Sequence, residues 1–138
     1  APFFALYVGA DEKNSSMNIV QLYQAGLGMG DRDYYLLEDE MQPKKVREAY
    51  KNYITRLFTL IGSSPEQADA AVNAIMKIER GIAEVSFSRE DLRDSQKNYN
   101  KMSIEDFKAK NDLLNWDVIS KVWGMMDIKY LDAKQLSF

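Results

Sequence analysis

The chain has 138 residues, 46% of them apolar and 28% charged, the size and mix of one folded domain rather than of a disordered or fibrous chain. Its net charge is -3 and its charges are scattered, so it lacks the clustered basic surface of a non-specific nucleic-acid binder, and no nucleic-acid partner is expected. The longest apolar run, Phe3 to Val8, falls far short of the ~20 residues that span a bilayer, and no signal-peptide pattern opens the chain, so no membrane contact by this segment is expected.

In chain order, residues 1–25 are predicted to form a β-hairpin. Residues 3–9 and 18–25 are rich in aromatic and β-branched types, and the turn-forming cluster Ala10–Ser16 separates them. Asp11, Lys13 and Asn14 are the polar residues of that loop. Residues 26–42, which include GLGMGDRDYYL, read as a connector. From Pro43 the period changes. Val46, Ala49, Tyr50, Tyr53, Ile54, Leu57, Phe58 and Ile61 recur at three- and four-residue spacing, with Gly62 just past the end, and predict a helix. Ser64 and Pro65 open a second helix, whose stripe runs through Ala68, Ala71, Val72, Ile75, Ile78, Ile82 and Val85. A short link should make the two antiparallel, with the stripes facing and with Leu57 and Ile75 buried between them. Ser88–Asp91 and Ser103–Asp106 carry cap and acidic residues of further helix starts, and Trp116–Trp123 is a last helix that Gly124 would stop. The expected fold is therefore mainly α: one unit, a helix-rich lobe of four to five helices in antiparallel pairs over 43–138, with a small N-terminal hairpin. The chain begins in an apolar run without methionine and ends without a polar tail, which predicts a piece of a longer protein.

The composition also limits the chemistry. There is no cysteine and no histidine. Thiolate chemistry, sulfur-ligated metals and histidine-based nucleophilic catalysis are thereby excluded within this chain, and no catalytic or metal-ligating residue is expected. Gly26, Gly28 and Gly30 spell G-x-G-x-G, but the spacing is not that of a dinucleotide loop, no P-loop lysine follows, and Asp31 and Asp33 put negative charge where a phosphate would sit. Glycine here gives backbone freedom where the chain turns. Asp31 and Asp33 could form an acid pair, but the intervening Arg32 lowers carboxylate pKa values, which suits a charged turn better than a general acid. Glu38-Asp39-Glu40 matches no calcium-loop pattern. Asn14-Ser15-Ser16 is a glycosylation sequon, meaningful only in a eukaryotic secretory setting. Tyr34, Tyr35, Tyr50, Tyr53, Tyr99, Trp116 and Trp123 at helical spacing read as core rather than as a ligand groove.

The stretch Phe4-Ala5-Leu6-Tyr7-Val8-Gly9-Ala10-Asp11-Glu12-Lys13-Asn14-Ser15, followed by GLGMGDRDYYL, resembles the non-catalytic N-terminal region of the neprilysin and endothelin-converting-enzyme family of zinc metallopeptidases. Ile78-Glu79-Arg80-Gly81-Ile82-Ala83 and Asn98-Tyr99-Asn100-Lys101-Met102-Ser103 are similar to later family segments, in collinear order over nearly the whole chain. The resemblance implies a helical lobe that walls the substrate cavity of a peptidase and restricts access to peptides. Zinc belongs to the parent enzyme, on an H-E-x-x-H helix that this chain lacks, in a C-terminal catalytic domain of the same polypeptide that acts on peptide substrates outside the cytoplasm: periplasmic, cell-surface or secreted. Absence of cysteine departs from animal members and points to a bacterial source. On this reading Gly28, Arg32, Asp33, Tyr34 and Tyr35 form a structural connector, with Arg32 and Asp33 as polar anchors. The alternatives are a free-standing helical interaction or peptide-binding module and, third, an acid-pair hydrolase.

Overall fold

A computed structural model describes residues 3–112 and 114–137. The elements in order are β1 (Phe4–Asp11), β2 (Asn14–Gln24), α1 (Asp33–Leu36), α2 (Met41–Leu60), α3 (Pro65–Val85), a 3-10 turn (Asp91–Arg93), β3 (Lys101–Ser103), α4 (Ile104–Lys110), α5 (Trp116–Val122) and β4 (Tyr130–Ala133). They sort into two compact units. One is built from Phe3–Gln24 and Glu90–Leu136, the other from Ala25–Arg89 with Ser137.

The first unit corrects the expected fold class. Instead of a lone hairpin beside helices, it holds a four-stranded mixed sheet in the order β1-β2-β4-β3. Among the described residues there are five α-helices, and 46% are helical and 19% lie in strands. β1 and β2 are antiparallel, β4 lies parallel to β2 with Val20 opposite Leu131, and β3 pairs antiparallel to β4. β3 and β4 fall in the region read as helical. Their three and four residues are too short to show a period, and β4 is stabilised by pairing with a strand far away in sequence.

The hairpin is also tighter than its turn-forming cluster suggested. The ladder runs from Phe4 opposite Gln24 to Ala10 opposite Asn18. It then shifts register so that Asp11 faces Asn14, leaving Ser15, Ser16 and Met17 unmatched in β2. Alternate side chains Val20 and Leu22 of β2 pack with Leu131 of β4, Phe107 of α4 and Trp116 of α5, a core joined by Met102, Ile104 and Ile119. Phe107 and Trp116 meet edge to face at 5.3 Å. The intervening β2 residue Gln21 is buried too, giving the run Ile19–Leu22 cover on both faces.

In the second unit α2 and α3 lie antiparallel, since Tyr50 in the middle of α2 reaches Glu79 late in α3. α3 starts with a full capping box: Ser64 Oγ accepts from the Gln67 amide and Gln67 Oε1 accepts from the Ser64 amide, with Pro65 in the first turn. Gly62, at φ 88°, supplies the left-handed residue that ends α2. The fully buried apolar side chains of the pair are Ile54 on α2 and Ala68, Val72 and Ala83 on α3, rather than the full expected stripes. Leu57 is 42% exposed, and Leu60, Ile61 and Ile78 are more so.

Candidate functional site

The connector builds its geometry around one carboxylate. α3 presents Glu79, whose Oε2 accepts from Tyr35 Oη at 2.6 Å and whose Oε1 accepts from Tyr50 Oη at 2.9 Å. Tyr35, fully buried on α1, also accepts from the Met29 amide at 3.0 Å, so its phenol ties the loop to α3 while Glu79 ties α1 to α2. Gly28 lies against this cluster: a Cβ there would stand 1.9 Å from Tyr50 Oη. Burial and the Glu79 carboxylate push the Tyr50 phenol up to about 12, and push Tyr35 well above the usual phenol range for the same two reasons. Both hydroxyls therefore keep their protons and donate them to Glu79. This is a staple, not a base poised for proton transfer.

The charged triplet divides its work. Arg32 donates from Nη1 to the Ser86 carbonyl at the end of α3, 2.6 Å away. Asp31 pairs with Arg89 and accepts from the Asp33 amide at 2.9 Å. The Asp33 side chain is exposed and has no partner among the described residues. Tyr34 contributes its backbone: Arg47 of α2 donates to the carbonyls of Tyr34, Leu37 and Glu38 at 2.8, 2.9 and 3.0 Å and closes the end of α1. Glu79, Arg47 and Arg89 were not singled out from sequence as partners of the connector. Glu79 and Arg47 sit at positions any solvated helix face could hold, and only the fold brings them to the turn.

The hairpin residues Asp11, Lys13 and Asn14 belong to the first unit and to a second polar cluster. Asp11 is buried, accepts from the Lys13 amide at 3.0 Å and from Tyr99 Oη at 2.8 Å, and pairs with Lys101 at 2.7 Å. Hydrogen bonds from Lys101, the Lys13 amide and Tyr99 hold its carboxyl down to about 2. Lys13 stacks its ammonium over the Tyr99 ring at 4.3 Å, and Asn14 accepts from Ser16 Oγ at 2.7 Å. Beside them Lys134, 1% exposed, bridges Glu12 at 2.5 Å and the equally buried Asp132 at 2.8 Å. Burial lowers the Lys134 ammonium, but the two carboxylates outweigh it and leave it above the ordinary lysine range. Each buried charge thus meets its opposite, as burial demands.

Neither cluster fits a zinc ion. Histidine and cysteine are absent from the sequence, and among the described residues no three acidic side chains converge as a ligand set. No described helix is long and apolar enough to cross a membrane. A family model described as "Peptidase family M13" matches residues 1–133. The chain belongs to peptidase family M13. The match is to the family's N-terminal region, in keeping with the resemblance carried by the hairpin and connector. This M13 chain is 36% identical over 117 residues to endothelin-converting enzyme 1 of Homo sapiens, covering 84% of itself and 15% of that protein. It is 32% identical over 113 residues to an endothelin-converting enzyme homolog of Locusta migratoria, covering 82% and 15%. The chain therefore spans about 15% of the length of these curated relatives. The same fold occurs in the Mycobacterium tuberculosis zinc metalloprotease ZMP1 in its open state (TM-score 0.89, 23% identity, 99% of this chain and 21% of that one). It occurs again in PepO from Lactobacillus rhamnosis (TM-score 0.78, 20% identity, 98% and 21%).

Proposed function

We propose that this M13 chain is a non-catalytic wall segment in the N-terminal lobe of a zinc endopeptidase, limiting access to the cavity to peptides. The observation that carries the reading is the family match across residues 1–133 in a chain whose own side chains cannot hold zinc. Peptide-bond hydrolysis by a zinc-activated water then belongs to a C-terminal catalytic domain of the same polypeptide, which is this segment's partner. The parent works outside the cytoplasm, and the cysteine-free sequence suits a bacterial source. Within the lobe, Gly28, Arg32, Asp33, Tyr34 and Tyr35 serve as the structural connector that turns the chain from the hairpin into the helices.

The test is cleavage of a fluorogenic peptide by the purified chain with zinc added. No turnover is expected, and stoichiometric zinc-dependent cleavage would overturn the reading. The continuous gene supplies a second check, since an H-E-x-x-H helix should be encoded downstream in the same frame.

A further inference from the structure

A groove of about 600 Å³ runs between α2 and α3 and is lined by residues from both helices. On α2, Lys44, Arg47 and Lys51 recur at spacings of three and four; on α3, Lys77 and Arg80 do the same, so two basic rows share one groove. Its carboxylates are Glu38 and Glu48. Arg80 is paired with Glu38, Lys51 with Glu48, and Arg47 is engaged by backbone carbonyls without losing its charge. Lys44 and Lys77 have no hydrogen-bond or ion-pair partner among the described residues. Lys44 moreover lies near the N-terminus of α2, where the helix dipole disfavours a cation. This local excess of positive charge runs against the -3 of the whole chain.

We infer that this groove binds an acidic peptide segment. Its volume is that of a site for several residues rather than for one small anion. Met76 gives it apolar wall and Asn73 gives an amide that can meet a peptide backbone. Glu38 and Glu48 interrupt the basic rows, which disfavours sulfated sugars, with their higher charge per unit length, more than a peptide with one carboxylate per residue. The inference concerns binding alone and stands apart from the peptidase reading.

The experiment is fluorescence anisotropy of labelled hexaglutamate with the whole chain, against hexaglutamine as the uncharged analogue. Hexaglutamate should bind, and Lys44→Ala with Lys77→Ala should weaken it about 5- to 10-fold. Lys45→Ala with Lys110→Ala removes the same charge from exposed positions outside the groove and should leave the affinity within about twofold. Circular dichroism melting checks that both double variants stay folded. Failure of hexaglutamate to bind, equal binding of hexaglutamine, or equal weakening in the two double variants would overturn the site. So would preferential capture of a heparin oligosaccharide.

Discussion

Gly28 shows how a single missing methyl group sets the connector. Its Cα lies so close to Tyr50 that an alanine Cβ would meet the phenol oxygen at 1.9 Å and its ring carbon at 2.5 Å. Gly28→Ala must push Tyr50 off Glu79, and should cost about 1–3 kcal/mol. Tyr50→Phe removes the clashing oxygen, so the double variant should be more stable than the two single losses add up to, by about 1 kcal/mol. Denaturant unfolding of all four proteins checks this; strict additivity would mean that Gly28 is there for another reason. A second prediction rests on Asp11. Its carboxyl falls from 3.8 to about 2 in the folded chain through hydrogen bonds from Lys101, the Lys13 amide and Tyr99. A depressed folded value contributes stability above the unfolded value, and that contribution is lost as pH falls through the folded one. The melting-point gap between the native chain and Asp11→Asn should therefore be full above about pH 4 and close toward pH 2. A gap unchanged across that window would show that Asp11 stabilises by shape alone.

At the scale of elements, the amount of burial along α2 differs from what its apolar stripe suggests. Ile54 is 3% exposed and Leu57 42%, though both belong to the same face by period. Ile54→Ala should cost about 2–4 kcal/mol and Leu57→Ala less than half as much, read from urea midpoints. Comparable losses at the two positions would indicate that something else covers Leu57. The ends of α3 were legible because Ser64, Pro65 and Gln67 are local signals whose meaning depends on three neighbouring residues. α2 was legible as a helix from its own period, but which part of its stripe is buried depends on what packs against it, and a period carries no such information. β3 and β4 were not legible at all: Tyr130–Ala133 becomes a strand because Val20–Leu22 offers it a ladder. The connector behaved in the same way. Its glycines and tyrosines announced a turn, whereas the acceptor that organises them, Glu79, reads in sequence as one more charge on a helix.

For the whole molecule, the decisive contact is the parallel pairing of β2 with β4, because it joins the two stretches of the first unit, which lie far apart in sequence. Leu131 is wholly buried in that seam. Leu131→Ala should cost about 2–5 kcal/mol, and hydrogen exchange should locate the loss in the amides of Val20–Leu22. Protection of those amides equal to that in the native chain would show that the hairpin holds itself without β4.

The same seam imposes a schedule on biosynthesis. The Gln24 amide and the Gln135 side chain that receives its hydrogen bond are 111 residues apart, so a ribosome adding ~5–20 residues per second makes one roughly 5–20 s before the other. During that interval Ile19, Val20 and Leu22 are finished but unroofed, with an open strand edge. The helix pair, whose contacts are local, can form in the meantime. Nascent chains arrested before Tyr130 should accordingly be nicked by protease within the hairpin while α2 and α3 resist. The last strand of this chain is, in time as well as in space, the one that makes its first strands safe.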